Sequence, residues 1–244
     1  MIKNDTMGSS SFPMQTIENE DEKNKKKLKI VRNEFKRVGK YGMPLIKKQH
    51  IDFDKIQPWC FVKTKPNDEE NKHKTIHFFT YDWNFEAAYS KPEVTFEKLE
   101  QYYALLTPEF STYKDMPLVL QAYSVFKNRW CGAFWQSQGK IVIPTVTWGT
   151  PNSHEFCFDG IEQGSVVAVS TYSREHNQKA FVIGYNKMLE AVKPSAIVCY
   201  GEIFDGMKGN IKAFSPFNHQ ELIAKLGMAE FTRRYIEGDL YPSN

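Results

Sequence analysis

The feature that most limits how this chain can fold is the uninterrupted run from Thr107 to Trp148, where a Pro-Glu-Phe-Ser turn, a long helical segment and a β-branched segment follow one another with almost no linker. Apolar residues recur at Val119, Ala122, Phe126, Trp130 and Ala133, a spacing of three or four that lays one stripe along a helix. Asp115 and Pro117 suit the start of that helix, one as an acceptor for free backbone N–H groups and the other as a ring with φ preset; Gly139 suits its stop. Asn128, Arg129 and Gln136 fall largely off the stripe. The following segment, Ile141 to Trp148, is almost continuously apolar and β-branched, as expected of a strand covered on both faces. Pro144 inside it marks an edge or a bulge, because proline cannot donate to a ladder.

The same alternation continues on both sides. Strand patterns at Thr75 to Asp82, Ala104 to Thr107, Ser165 to Thr171 and Ala196 to Tyr200 are separated by helical patterns around Phe96, Leu99 and Tyr103, through the central helix, and around Ala180, Ile183, Met188, Leu189 and Val192. A weaker strand near Ile211 to Phe214 and a helix from about Gln220 to Leu226 complete the series. Strands alternating with crossover-length helices predict an α/β protein with a mostly parallel sheet, open or partly closed toward a barrel. Residues 1–29 are polar and low in complexity, with six Lys against five acids, and are expected to be a disordered tail ahead of a single α/β domain over 30–244.

Composition excludes more than it selects. The net charge of +3 is too small to announce nucleic acid, although a modest total can hide a local basic face. The sequence carries neither an apolar run of bilayer length nor an apolar h-region near its start, so the expectation is a cytoplasmic protein without membrane contact. Cys60, Cys131, Cys157 and Cys199 stand singly in apolar segments, the pattern of buried reduced thiols rather than of disulfides or zinc.

In parallel sheets ligands bind at the C-terminal strand ends, and here those ends carry Asp82, Glu109, Thr147 with Trp148, Ser170 with Tyr172, and Tyr200 with Glu202. Asp82, Glu109 and Glu202 are the candidate catalytic acids. They suit either a divalent metal such as Mg²⁺ or a division of general-acid and general-base roles, and the competing reading is that they cap helices or pair with nearby bases. Arg129 offers a planar fork for a phosphate or carboxylate with Trp130 stacking beside it; alternatively it ties its helix to the turn through Glu109 or Asp115. Tyr113, Trp148, Tyr172, Tyr200 and Gln136 complete the candidate binding residues, and His154 is the histidine best placed for proton transfer. The Gly201 to Lys208 stretch follows a strand as a phosphate loop would, but Met207 stands where that loop needs lysine.

Pro108-Glu109-Phe110-Ser111, Tyr113, Asp115-Met116-Pro117, Asn128-Arg129-Trp130, Gly132 and Val142 to Val146 with Trp148 resemble the signature of a family of bacterial, archaeal and phage proteins catalogued as a domain of unknown function. Phe156 to Ile161, Ala168 to Tyr172, Gly184-Tyr185-Asn186 and Cys199-Tyr200 extend the resemblance over roughly Arg32 to Phe214. Glu109 stands where the family typically has Asp, which keeps a carboxylate but moves it one methylene outward. The resemblance implies carriage on mobile elements and prophages, and it implies no activity. Two functions are therefore expected from the residues: a hydrolase acting on a nucleotide or nucleic-acid phosphate through strand-end acids, or a non-catalytic accessory protein binding nucleic acid or a host protein.

Overall fold

The computed structural model describes Lys25 and residues 31–172, 174, 177–214, 227–230 and 233. The chain divides into two units, residues 1–35 and 36–244. Of the first, only Lys25 and 31–35 are described, so the expected tail lies almost wholly outside the described residues, as does the expected helix at Gln220 to Leu226.

The second unit opens with a small antiparallel pair, β1 (Arg37–Val38) and β2 (Met43–Pro44). Seven strands follow that are parallel wherever they pair: β3 (Pro58–Cys60), β4 (Thr75–His77), β5 (Ala104–Leu106), β6 (Ile141–Ile143), β7 (Val166–Ser170), β8 (Ala196–Tyr200) and β9 (Ile211–Phe214). Strands β3 to β6 form one sheet and β7 to β9 another, each in chain order. Helices cross between them: α1 (Asp82–Phe85), α2 (Ala87–Ser90) and α3 (Pro92–Leu99) between β4 and β5, α4 (Leu118–Ser137) between β5 and β6, and α5 (Gln178–Val192) between β7 and β8.

Pro144 is where the two sheets meet. Strand β6 pairs with β5 through Ile143, and the ladder ends at the proline, which has no N–H to donate. Beyond it the chain changes partner. Ala168 of β7 donates to the Pro144 carbonyl at 2.9 Å, and Val146 donates back to the Ala168 carbonyl at 2.8 Å. The expected strand to Trp148 is thus three residues of ladder and a seam. The strand expected to run to Asp82 is also shorter: it ends at His77, and Asp82 opens α1 instead.

Side chains alternate along the strands as a sheet covered on both faces requires. Val166, Ala168, Ala196 and Val198 join Leu106, Ile143 and Ile56 in one apolar cluster between the two sheets. Val167, Val169, Ile197 and Cys199 point the other way, onto Phe181, Tyr185 and Met188 of α5. Each buried Val, Leu, Ile, Phe or Met among them contributes about 1.5–3 kcal/mol relative to exposure. At the far edge, Lys212 of β9 donates to the carbonyls of Phe53 and Asp54, just ahead of β3. The seven strands therefore curl toward closure. None of the four cysteines is in a disulfide; Cys131, Cys157 and Cys199 are buried and Cys60 is half-buried.

Helix α4 departs most from its sequence pattern. Val119, counted into the apolar stripe, is 73% exposed, whereas Gln121, Asn128 and Arg129 are buried. Asp115 is exposed, and no side chain caps the helix start. The helix is covered on more than one side, and buried Asn128 and Arg129 find their hydrogen-bond partners inside the protein.

Candidate functional site

The site is assembled from the segments just beyond the C-terminal ends of β4, β5, β6 and β7. After β5, Thr107-Pro108-Glu109 turns sharply, and Asn128 of α4 fixes that turn. Its amide donates to the Pro108 carbonyl at 2.7 Å and the Thr145 carbonyl at 3.2 Å, while its oxygen accepts from the Thr107 hydroxyl at 2.9 Å. Thr107 Oγ1 in turn accepts from Thr145 N at 2.8 Å. Glu109 leaves this frame with its side chain 18% exposed, enough for a ligand to reach its carboxyl.

Three neighbours meet Glu109. Arg174, beyond β7, brings Nη2 to 4.0 Å from Oε1. Thr147, beyond β6, favours the charged carboxylate through its hydroxyl, and Thr112 lies 3.2 Å from that hydroxyl. Asp82, at the start of α1, accepts from Ser111 N at 3.0 Å and Ser111 Oγ at 2.9 Å, which places a second negative charge beside the turn. Burial is the main influence on Glu109 and pushes its carboxyl up to about 7; Arg174 opposes the rise, Asp82 adds to it, and the Thr147 hydroxyl opposes it. A carboxyl poised there can take or give a proton near neutral pH.

Glu202, the third expected acid, follows β8 and is exposed, and its backbone carbonyl accepts from Thr171 Oγ1 at 2.7 Å. Among the described residues no three His, Cys, Asp or Glu side chains are grouped to hold a metal ion. Asp82 and Glu109 are thus a pair rather than part of a metal-binding triad.

Arg129 is not on the rim. It is 1% exposed, and its guanidinium donates from Nε to the Asp159 carbonyl at 2.9 Å, from Nη1 to the Thr145 carbonyl at 3.1 Å and to Asn128 Oδ1, and from Nη2 to the Cys157 carbonyl at 2.7 Å. The expected clamp is therefore occupied by the protein itself, and the expected tie to acids is made instead to loop carbonyls. Burial lowers Arg129 to about 10, so it stays charged at neutral pH. Gly160, at φ 77°, lets the loop come this close: a Cβ there would meet the Pro44 carbonyl at 2.5 Å and Arg129 side-chain carbons at 3.1 Å.

Trp130, Trp148 and Gln136 are likewise part of the scaffold. Trp130 stacks on Phe134 with ring centroids 5.4 Å apart, and Trp148 packs on Phe181 and over Gly184, where a Cβ would fall 2.1 Å from the indole nitrogen. Gln136, at the C-terminal end of α4, exchanges hydrogen bonds with the Lys47 backbone, at the opposite end of the strands from the rim. Tyr113 is 62% exposed in the loop after Glu109. Tyr200 is buried against Phe79, 4.5 Å between centroids, with Tyr172 5.9 Å away. His154 packs against Phe158, and burial, aided by Lys187, lowers its pKa.

Sequence reasoning missed Arg174, whose only signal was its place four residues beyond a strand end. It also missed His77, the last residue of β4, which accepts at Nδ1 from Phe79 N at 3.4 Å and lies 5.0 Å from the Tyr200 ring. Burial holds His77 down at about 3, hence neutral. An open concavity lined by Lys48, His50, Glu162 and Ser195 lies at the N-terminal strand ends, away from these groups; its Glu162 carboxylate already accepts from Lys48 N at 2.7 Å.

Fold and site together define an α/β protein with a curled parallel sheet and a paired-carboxylate rim. The chain belongs to the family described as a domain of unknown function, DUF4417, whose pattern matches residues 35–218. It is 42% identical over 131 residues to the Gene 1 protein of Mycobacterium phage L5, covering 52% of this chain and 57% of that protein. It is 40% identical over 131 residues to the Gene 1 protein of Mycobacterium phage D29, covering 52% and 48%. The matches span about half the length of these phage relatives. No solved structure matches the chain. Among the described residues no helix is long and apolar enough to cross a membrane.

Proposed function

We propose that the rim is an acid–base catalytic site that hydrolyses a phosphate-bearing substrate, a nucleotide or a nucleic acid, in the cytoplasm. The observation that carries this reading is the meeting of a partly buried but reachable carboxyl, Glu109, with a second acid, Asp82, and a cation, Arg174, at the strand ends where parallel sheets bind ligands. Glu109 as carboxylate accepts a proton from water while the water oxygen bonds to phosphorus. The P–O bond to the leaving group then breaks, and the same carboxyl returns the proton to the leaving oxygen. Arg174, partly exposed, takes the anion-binding role that Arg129 cannot fill. With two carboxylates at hand, a Mg²⁺ ion would draw its remaining ligands from substrate phosphates and water.

Hydrolysis of p-nitrophenyl phosphate and bis-p-nitrophenyl phosphate, with and without Mg²⁺, tests the reading. The expected result is a kcat/KM that rises with pH through about 7, the value to which burial moves Glu109. Glu109→Gln should lower kcat about 100-fold or more, and Arg174→Ala should raise KM. A Glu109→Gln variant as active as the parent, or a parent inert on both esters, overturns it.

The accessory-protein reading has its own support. Leu118, Val119, Leu120 and Tyr123 leave an apolar surface exposed on the first turns of α4, where a protein partner has something to cover. Alanine at Val119 and Leu120 would then abolish partner binding while leaving any hydrolysis intact.

A further inference from the structure

The most exposed large apolar side chains beside the rim are Trp83, 74% exposed, and Tyr81, 63% exposed, and they flank Asp82 in sequence. Their rings stack on each other at 4.3 Å with an interplanar angle of 11°. The turn that carries them is held from several directions. Thr80 N donates to the Phe78 carbonyl at 2.8 Å, the Asn84 amide donates to Thr80 Oγ1 at 2.9 Å, and Asn84 N donates to the Tyr81 carbonyl at 3.0 Å. Phe85, fully buried, pins the end of the turn against Phe78 and Phe110. Because Phe110 follows Glu109 and Asp82 holds Ser111 by two hydrogen bonds, the aromatic pair and the acid turn are one braced unit.

We infer that Tyr81 and Trp83 form a stacking platform for a nucleobase, placed so that the phosphate of the same nucleotide lies toward Arg174 and Glu109; this rests on the anionic-substrate reading above. A flat pair with its outer face open takes a third ring at the same spacing, and π-stacking does not discriminate among bases. The ordering cost is already met by the braced turn, so little conformational freedom is lost on binding. The ligand chemistry is a base bearing a phosphate, from a free nucleotide or a single strand.

Tryptophan fluorescence of the full chain tests this with AMP, UMP, ribose 5-phosphate and an eight-nucleotide oligothymidylate as probes. Both nucleotides should quench a component of the emission that is missing in Trp83→Ala, and should bind about tenfold more tightly than ribose 5-phosphate. Trp83→Ala should remove that advantage while leaving ribose 5-phosphate binding unchanged, and Trp83→Phe should restore most of it. Tighter binding of the oligomer than of UMP would identify a single strand as the source, and the reverse a free nucleotide. Equal binding of AMP and ribose 5-phosphate, Trp83→Ala behaving as the parent, or no binding of any probe at millimolar concentration overturns the platform. The acid–base reading fails separately: nucleotide quenching in a protein that hydrolyses neither ester keeps the platform and removes the catalyst, while ester hydrolysis without a base preference does the opposite.

Discussion

Arg129 and Glu109 both place a charge inside the protein, and they do so in opposite ways. Arg129 is enclosed and gives its donors to three loop carbonyls and Asn128, so its charge is spread over acceptors that the fold supplies. Glu109 has a guanidinium at 4.0 Å, a weaker influence from the Thr147 hydroxyl, and Asp82 as a like-charged neighbour. The first arrangement leaves nothing for a ligand to add. The second leaves a carboxyl whose ionisation the fold resists, and groups of that kind concentrate where chemistry is done. Asn128 links the two regions, since it shares its oxygen with Arg129 and holds the Pro108 carbonyl next to Glu109.

The contrast breaks most readily at Arg129. Lysine there keeps a charge but cannot reach carbonyls on three sides of the cavity, so Arg129→Lys should destabilise the fold by about 3–5 kcal/mol, the usual cost of an unmatched buried charge. Urea denaturation reads this directly; a loss below about 1 kcal/mol would mean the guanidinium network is dispensable.

Removing the Glu109 charge should have the opposite sign. Burial holds the folded carboxyl at about 7 against the ordinary 4.5 of an unfolded one, so the folded state holds a proton that the unfolded chain releases between those values. Stability therefore falls as pH rises through that window, and the cost is fully present above about 7. Glu109→Gln should raise unfolding free energy by about 3 kcal/mol at pH 8, and by almost nothing at pH 4. An unchanged or lowered stability at pH 8 would show that Arg174 and Thr147 already compensate the carboxylate.

A smaller effect sharpens the comparison at Asp82. Its charge contributes to the raised pKa of Glu109, so Asp82→Asn should move the Glu109 titration downward while the amide keeps a partner for Ser111. Carboxyl infrared or ¹³C NMR titration of Glu109 measures the shift, and no downward movement would separate the two acids electrostatically.

Much of this architecture was legible in residue order. The β-branched runs at Val166–Ser170 and Ala196–Tyr200 and the helix ending ahead of Gly139 are where periodicity put them, because local propensity and burial agree there. Pro144 was legible as an interruption, since a missing N–H is a property of one residue. The site was half legible: a parallel sheet gathers its strand ends, so Asp82 and Glu109 could be named, and so could a resemblance centred on the Pro-Glu-Phe-Ser and Asn-Arg-Trp motifs.

What sequence alone determined is therefore the order of elements, the polarity of the sheet and the end at which carboxylates collect, each of which follows from spacing along one chain. Which charges are satisfied was decided only in three dimensions. Arg129 lies 28 and 30 residues from the carbonyls of Cys157 and Asp159 that it binds, and Glu109 meets an Arg174 that no local pattern could pair with it. A periodicity can say that a side chain leaves the apolar stripe. Whether it then meets water, a carbonyl or another charge depends on segments brought together by the curl of the sheet, and that separates an arginine matched by carbonyls from an acid set beside another acid.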